Sequence, residues 1–284
     1  MILGRNHGSL HAQMFLLLTN KKMKRIELVK VPHNVQIGEV CGHIVPNVTE
    51  DSLFYDNGEL VGFYLKDISK YSEKAGKLAE LADYELRSKN VPKSMMKRSS
   101  GFAEGNKEKE VLQYSTIIGS VPPKPHMRRP YATISSVHNV KTAQTFIKAM
   151  LMLCKESEQI IKELAPEIYE RQKGIIEKNI PKKWRFSDLF TSSISNYNIP
   201  APFHRDAGNL EGCVNVIIAK KKNATGGNTT VPDYAATMDS SDNSMLVYPA
   251  WRNVHGVTPI VPTHEGGYRN SLVFYPLKAF KGLE

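Results

Sequence analysis

The sequence has few cysteines and no long apolar run. Its three cysteines, Cys41, Cys154 and Cys213, lie far apart and form no CxxC pair. This argues against a disulfide framework and a cysteine-based zinc cluster, and it is typical of a reducing compartment. The most apolar run near the start, residues 14–18, is far shorter than the about 20 residues that cross a bilayer. We therefore expect a soluble, intracellular protein with no membrane partner.

Charge of one sign predominates in the chain. There are 38 lysines and arginines against 28 aspartates and glutamates, a formal net charge of +10. Such an excess favours an anionic partner, most commonly nucleic acid, although a basic protein with no such partner is the alternative. With 41% apolar residues the chain can bury a large core. We expect an N-terminal extension over residues 1–114 and a catalytic core over residues 115–284, together one monomeric globular unit.

Local patterns predict a hairpin and helices in the first two thirds of the chain. The turn residues 56–59 precede an apolar, strand-like run at residues 60–65, which is typical of a β-hairpin. Apolar residues recur at helical spacing within residues 69–89 and again, over a longer stretch, within residues 141–179. Pro166 is expected to kink or divide the second pattern, because proline breaks the helical hydrogen-bond ladder.

Short strands dominate the chain after Trp184. Turn signals at residues 223–228 and 239–243 separate several of the runs. Many short strands with no helices between them predict a sandwich or barrel, and the fold class is therefore α+β, with helices that brace a β core. The predicted strands are residues 192–197, 213–219, 229–231, 235–238, 244–248 and 272–275.

Two histidines and an aspartate form the most informative pattern. His204 and Asp206 are two apart in a strand-like segment, so both side chains would face one side and could hold one metal ion. His255 is the preferred third ligand. His264 is a rival, but it precedes Arg269 by too few residues to complete a strand crossing. Two histidines and one carboxylate are the ligands of non-haem Fe(II) oxygenases, which keep positions open for a cosubstrate and dioxygen.

Arg269 and Ser271 indicate which cosubstrate that is. They are two apart in an apolar, strand-like segment, so both would face the same side, and Arg269 is expected to point into a cavity rather than into solvent. A fixed guanidinium can bind the second carboxylate of 2-oxoglutarate through two parallel hydrogen bonds, and a hydroxyl can add another. The pair therefore predicts a 2-oxoglutarate site.

Cations and prolines are concentrated between residues 121 and 131. Lys124, Arg128 and Arg129 could pair with phosphates, and Tyr131 could stack on a base that has left the double helix. The prolines would lower the entropy lost on ordering such a segment. An ordinary connecting loop is the alternative. A second basic segment, residues 93–107, is either a solvated loop or an arm that contacts phosphates.

The order of these motifs resembles the TET/JBP family of Fe(II)/2-oxoglutarate dioxygenases, which oxidise the 5-methyl group of pyrimidines in DNA. The resemblance covers about residues 190–278 and, more loosely, residues 115–140, whereas residues 1–110 are not matched to the family. The compact size is similar to that of the bacteriophage branch, which would place the protein in the cytoplasm of a bacterial host. The motifs are His204-x-Asp206, Gly226-Gly227, Pro232-x-Tyr234, His255-Gly256 and Arg269-x-Ser271-Leu272-Val273.

The resemblance implies a fold, cofactors and a partner. The fold would be a double-stranded β-helix of the jelly-roll or cupin type, braced by helices, with an N-terminal α/β extension. Fe(II) would be bound by His204, Asp206 and His255. Arg269 and Ser271 would hold 2-oxoglutarate, which is consumed with dioxygen. The partner would be double-stranded DNA with a flipped-out 5-methylpyrimidine.

Further residues are assigned by the same resemblance. Tyr197 and Asn198 would line the cosubstrate pocket, and Arg129, Tyr131 and Trp251 would border the base, with ordinary packing as the alternative for Trp251. The expected reaction converts 5-methylcytosine to 5-hydroxymethylcytosine, with further oxidation left open, and thymine hydroxylation to 5-hydroxymethyluracil is the alternative. Two readings from other classes are an oxygenase of protein side chains or free nucleotides, and a noncatalytic DNA-binding protein with the same fold.

Overall fold

The computed structural model describes residues 23–88, 90–92 and 113–283. Two β-sheets face each other, and the described α-helices pack on the outer face of the larger sheet. The apolar run at residues 14–18 and the basic segment at residues 93–107 lie outside the described residues. Within the described residues, no helix combines the length and the apolar character needed to span a bilayer.

The predicted N-terminal hairpin is confirmed. Strands β2 (Ser52–Asp56) and β3 (Glu59–Leu65) are antiparallel, and β1 (Lys24–Glu27) runs parallel to β2. The tight turn forms because Asn57 and Gly58 both adopt left-handed backbone angles, with φ of 52° and 81°. β3 also pairs with β12 (Met245–Tyr248), so strands from both ends of the chain share one sheet. The domain boundary at residue 114 stays a prediction.

Within the described residues, three α-helices lie where the apolar periodicity predicts them. Helix α1 (Glu73–Arg87) begins after Ser72, whose hydroxyl accepts a hydrogen bond from the Ala75 amide at 3.1 Å. The longer pattern is divided into α2 (Gln144–Leu164) and α3 (Pro166–Asn179). Pro166 occupies the first turn of α3, where a missing N–H costs nothing, so the predicted break is confirmed.

In the part of the chain that the structure describes, nine strands form the large sheet and four form the small one. The order of the large sheet is β1-β2-β3-β12-β8-β15-β6-β4-β5, and that of the small sheet is β11-β10-β13-β7; β9 and β14 pair separately. The remaining strands of the large sheet are β4 (Tyr114–Val121), β5 (Thr133–Ile134), β6 (Ser192–Tyr197), β8 (Asn215–Lys222) and β15 (Tyr268–Tyr275). The others are β7 (Ala201–His204), β9 (Ala224–Gly226), β10 (Thr229–Val231), β11 (Ala236–Met238), β13 (His255–Val257) and β14 (Ile260–Pro262).

Most predicted strands are present, with some shifted ends. β6 and β10 match their predicted bounds, whereas β9 lies within a predicted turn and pairs with β14. β8 extends through Lys222, which pairs with Tyr268 of β15, and the buried Lys220 ammonium finds carboxylate partners in Glu80 and Asp242. β15 begins at Tyr268 rather than at residue 272, directly after the turn at Gly266 and Gly267.

Strand β15 contributes to both layers of the molecule. Leu272 and Phe274 pack with the helices in the main hydrophobic core. Arg269, Ser271 and Val273 alternate with them and line a cavity between the two sheets. This arrangement of two facing sheets braced by helices confirms the predicted α+β, double-stranded β-helix fold.

Candidate active site

A cavity of about 590 Å³ lies between the two sheets. The large sheet contributes side chains from β6, β8, β12 and β15, and the small sheet contributes side chains from β7, β10 and β13. The cavity therefore collects residues that are distant in the chain. Its polar and charged lining side chains include Asn196, His204, Asp206, Asn215, Thr229, Tyr248, His255, Arg269, Ser271 and Tyr275.

Three potential metal ligands meet in this cavity. His204 and His255 lie opposite each other on β7 and β13, with ring centroids 4.3 Å apart. Asp206 lies just beyond β7 rather than on it, and its amide donates to the Ala250 carbonyl at 3.1 Å. One ligand atom from each of the three residues lies within 4.8 Å of the other two, so together they could hold one metal ion. The rival His264 is exposed and contacts the Thr263 hydroxyl instead.

Both histidines are oriented by backbone carbonyls. His204 Nδ1 lies 2.7 Å from the Pro202 carbonyl oxygen, and His255 Nδ1 lies 3.1 Å from the Asn253 carbonyl oxygen. A ring nitrogen that faces a carbonyl must carry the proton, which leaves the lone pair on Nε2. The two rings are thus set to bind a metal through Nε2, the usual role of such outer contacts in metal sites.

Local electrostatics also suit a metal. Burial lowers the pKa of His255, and the neighbouring His204 adds to this effect. Burial acts to raise the pKa of Asp206, but the neighbouring imidazoles of His204 and His255 hold that pKa below its usual range. The contact with Asp206 in turn raises the pKa of His204. The neutral form of His255 and the ionised form of Asp206 are thus favoured, whereas a metal would displace a proton from His204 as it binds.

Two asparagines hold the Asp206 carboxylate in place. Asn215 Nδ2 donates to Asp206 Oδ2 at 2.8 Å, and Asn209 donates to the oxygen of the Asn215 amide at 2.8 Å. The other carboxylate oxygen, Oδ1, faces His204 Nε2 at 3.5 Å. Sequence analysis missed both asparagines because a single asparagine carries no spacing signal.

Arg269 is deeply buried in the same cavity. Its residue is only 3% exposed, and its Nε donates to the Ser240 hydroxyl at 3.0 Å. Among the described residues, no carboxylate forms an ion pair with it. Burial lowers the pKa of Arg269 to about 10, so the guanidinium is still cationic at neutral pH. A Cβ atom at Gly227 would lie 3.1 Å from the Arg269 side chain, which accounts for a glycine there.

The predicted cosubstrate residues fall into two groups. Ser271 lines the cavity on the same face of β15 as Arg269, and Asn196 lies 3.5 Å from its hydroxyl. Asn198 instead holds the backbone of Arg269, because its Oδ1 accepts from the Arg269 amide at 2.9 Å. Asn198 lines a second cavity of about 420 Å³.

Tyr197 does not reach the predicted cosubstrate pocket. It alternates with Asn196 along β6, so its side chain lies on the opposite face of the sheet. There its ring stacks between Tyr114, at 4.5 Å, and Tyr268, at 5.5 Å. The structure therefore corrects the prediction for Tyr197, because strand register and not proximity in sequence decides which side chains enter the cavity.

The candidate DNA residues lie in a loop outside the cavity. Lys124 and Arg129 pair across this loop, and the Arg129 guanidinium donates to the Pro122 carbonyl at 2.6 Å. Arg128 is exposed with a left-handed φ of 57°, and Tyr131 is 63% exposed. Arg129 thus shapes the loop, while Arg128 and Tyr131 face solvent.

Trp251 is half-buried beside the metal cluster. It follows Ala250, whose carbonyl accepts from Asp206, but it does not line the cavity. Its indole nitrogen is buried and has no hydrogen-bond partner among the described residues. Because Trp251 does not line the cavity, the ordinary packing interpretation fits better than contact with a base.

Two facing sheets that enclose two histidines, an aspartate and a buried arginine define the class of non-haem iron oxygenases. The profile of the Tet_JBP family, described as the oxygenase domain of the 2OGFeDO superfamily, matches residues 122–278, more than half of the chain. The chain belongs to the TET/JBP family of Fe(II)- and 2-oxoglutarate-dependent oxygenases. Its cofactors are accordingly Fe(II), 2-oxoglutarate and dioxygen, as predicted.

Solved structures give a second comparison. A structure described as NgTET1 in complex with 5mC DNA has a TM-score of 0.57 and 13% sequence identity, and the match covers 96% of this chain and 92% of that chain. At this identity the likeness shows the fold alone. A structure of OsALKBH1 matches with a TM-score of 0.39 and 14% identity over 75% of this chain and 96% of that one, too weakly to support a conclusion. No curated protein sequence matches the chain.

Proposed function

We propose that this protein hydroxylates the 5-methyl group of 5-methylcytosine in DNA, which gives 5-hydroxymethylcytosine. The observation that carries this proposal is the cavity between the sheets. It holds three convergent metal ligands and, on the same lining, a buried arginine without a carboxylate partner among the described residues. A metal and a dicarboxylate cosubstrate are the two groups that such a cavity would accept.

His204, Asp206 and His255 would hold Fe(II) through the two Nε2 atoms and a carboxylate oxygen. Fe(II) bound there, with 2-oxoglutarate and dioxygen, supplies the oxidation: one oxygen atom enters the methyl C–H bond, and the other enters succinate as carbon dioxide leaves. The protein's own task is to orient these groups. The carbonyls behind both histidines and Asn215 behind Asp206 perform it.

Arg269 and Ser271 would bind the far carboxylate of 2-oxoglutarate. Both lie on the cavity face of β15 and are almost fully buried. The guanidinium offers two parallel donors, and the hydroxyl offers a third. Ile217 and Val257 line the same cavity and would help to keep water away from the cosubstrate.

The base would enter from the opposite, open side. Arg205, Ala207 and Gly208 are exposed lining residues and mark the mouth of the cavity, whereas Arg269 is buried. The Leu277 side chain lies against Gly208 at this mouth. A flipped base needs apolar or aromatic walls to offset its lost stacking. Leu277 and the neighbouring lining residue Tyr275 offer such walls.

Charge and fold support DNA as the polymer. The net charge is +10, and Arg128 and Arg205 are exposed cations that could pair with phosphates. The likeness in fold to NgTET1, whose structure is described as a complex with 5mC DNA, supports 5-methylcytosine as the base. In this account Arg129 contributes indirectly, because its guanidinium is already bonded within the loop.

The test is product analysis on defined duplexes. Duplexes with and without 5-methylcytosine are incubated with protein, Fe(II) and 2-oxoglutarate, and the nucleosides are analysed by mass. We expect 5-hydroxymethylcytosine from the methylated duplex alone. The Asp206→Ala variant should form none while it keeps its DNA affinity, because that affinity resides mainly in phosphate contacts.

A matched pair of histidine variants checks the ligand assignment. His255→Ala should lose activity, and His264→Ala should retain it, since His264 is exposed and lies outside the metal cluster. Formation of 5-hydroxymethyluracil would instead identify thymine as the substrate base. The absence of any oxidised 5-methylpyrimidine from iron-loaded protein would contradict the proposed function.

A further inference from the structure

Both neighbours of Arg269 on β15 are bonded to one carboxylate. The Tyr268 hydroxyl donates to Asp83 Oδ2 at 2.6 Å, and Asn270 Nδ2 donates to Asp83 Oδ1 at 3.0 Å. Asp83 lies on helix α1 and is fully buried, at 0% exposure. A residue of the N-terminal part, for which the sequence offered no role, thus holds the strand that carries the proposed cosubstrate arginine.

The alternation of side chains explains why these two contacts matter. Tyr268 and Asn270 face the helices, and Arg269 between them faces the cavity. Pairing with β8 and with Asn198 fixes the position of Arg269 along the sheet. The ladder with β6 begins only at Asn270, so the twist of β15 at Tyr268 and Arg269 is less constrained than in the middle of the strand. A single carboxylate that holds the residues on both sides of Arg269 limits that twist.

We propose that Asp83 is a positioning residue, which aims the Arg269 guanidinium at the far carboxylate of 2-oxoglutarate. This inference rests on the proposed function, in which Arg269 binds that carboxylate. Small errors in the aim of a binding group are costly, since a bidentate contact needs both donors in line. Asp83 itself would touch no substrate, because it lies on the other side of the sheet.

Asp83 is well suited to this task because it is itself held firmly. Arg87 donates to Asp83 Oδ2 from Nε at 3.0 Å, and its terminal nitrogen lies 2.9 Å from the same oxygen. The Arg87 guanidinium also lies over the Tyr268 ring, 4.6 Å from its centroid. A buried carboxylate that is paired and bonded in this way is rigid.

Helix α1 offers a matched control. Glu85, two residues from Asp83, is also a buried carboxylate, at 7% exposure. Its carboxylate accepts a hydrogen bond from Asn90 Nδ2 at 2.7 Å rather than from β15. Removal of Glu85 therefore tests the loss of a buried helix carboxylate without the loss of the contacts to Tyr268 and Asn270.

The experiment is calorimetric titration of manganese-loaded protein with two ligands. 2-Oxoglutarate carries both carboxylates, whereas 2-oxobutyrate presents the same 2-oxo acid to the metal but ends in a methyl group. Asp83→Ala should weaken 2-oxoglutarate binding about tenfold, the effect of one displaced charge-assisted hydrogen bond. Binding of 2-oxobutyrate should stay the same, and Glu85→Ala should change neither affinity.

A second variant keeps the test decisive if Asp83→Ala does not fold. Tyr268→Phe with Asn270→Ser leaves the Asp83–Arg87 pair in place and removes its contacts to β15, so the same selective loss is expected. Equal weakening of both ligands, or of neither, would overturn the role of Asp83. Wild-type protein that binds 2-oxoglutarate no better than 2-oxobutyrate would instead contradict the proposed cosubstrate site, and the inference with it.

Discussion

Arg87 of helix α1 and Arg269 of strand β15 have their side chains on opposite sides of the large sheet, and the two guanidinium groups differ in their partners. On the helix side, Arg87 pairs with Asp83 and lies over the Tyr268 ring. On the cavity side, Arg269 is buried more deeply, yet its side chain donates to the Ser240 hydroxyl and has no carboxylate partner among the described residues. A buried cation without an anion is unfavourable for folding. The difference indicates that Arg87 stabilises the fold, whereas the Arg269 guanidinium is available to bind an anionic ligand.

Replacement of Arg269 should have the largest effect on ligand binding. Arg269→Met should weaken 2-oxoglutarate binding about 100-fold, because two charge-assisted hydrogen bonds are lost. The ligand-free protein should be no less stable, since the variant removes an unpaired buried charge. Calorimetry measures the first effect and thermal unfolding the second. A large loss of stability without ligand would mean that the fold already supplies Arg269 with a partner.

Replacement of Arg87 should have the opposite effect on stability. Arg87→Met leaves the buried Asp83 without its cation, so the free energy of unfolding should fall by about 2 kcal/mol. Urea denaturation measures this change. The control is Lys74→Met, which breaks an ion pair of an exposed lysine with Glu156 and should cost less than about 1 kcal/mol. If Arg87→Met lowers the free energy of unfolding no more than Lys74→Met does, the assigned difference between Arg87 and Arg269 is wrong.

The same contrast extends to the carboxylates. Both oxygens of Asp83 accept hydrogen bonds, from Tyr268 and Asn270. Asp206 accepts one from Asn215 through Oδ2, and its Oδ1 faces His204. Asn215→Ala should loosen the Asp206 carboxylate and weaken Mn(II) binding about tenfold. Spin-resonance titration of manganese measures this. Asn179→Ala is the control, because Asn179 ends helix α3, donates to the Ile175 carbonyl and does not line the cavity. An unchanged affinity would show that Asn215 does not orient the metal ligand.

The smallest effects on ligand binding are expected in the basic loop, residues 121–131, where two neighbouring arginines also differ in their contacts. Arg128 is exposed, whereas Arg129 donates to the Pro122 carbonyl. Arg128→Gly keeps the left-handed backbone and should lower the salt dependence of DNA binding by about one unit of slope. Arg129→Gln should change the slope less. Fluorescence anisotropy at several salt concentrations measures the slope for each variant. Equal slopes for the two variants would contradict the different roles assigned to Arg128 and Arg129.

Residue type and spacing were enough to single out the three candidate metal ligands, which the structure brings together. His204, Asp206 and His255 could be recognised because few side chains bind metals, and the helices and the β core followed from apolar periodicity. The turn that brings Asp206 back toward Ala250 was not predictable, since it depends on a contact between distant segments. The prediction that Tyr197 lines the cosubstrate pocket was wrong because it relied on proximity to His204 in the sequence, whereas strand register turns the Tyr197 side chain to the other face of the sheet.

Asp83 illustrates what local patterns cannot convey. Its hydrogen-bond partner Asn270 lies 187 positions further along the chain. On α1 the residue reads as one more polar position of an amphipathic helix, and only the packing of that helix on β15 turns it into a buried hydrogen-bond acceptor. Positioning residues of this kind have no spacing signal, because their partners are set by tertiary structure.

A crystal structure with Mn(II) and 2-oxoglutarate would test the central claim most directly. We expect the metal at His204, Asp206 and His255, and the far carboxylate of the cosubstrate paired with the Arg269 guanidinium. Electron density for 2-oxoglutarate that leaves Arg269 without an anionic partner, or a metal bound at other residues, would contradict the account.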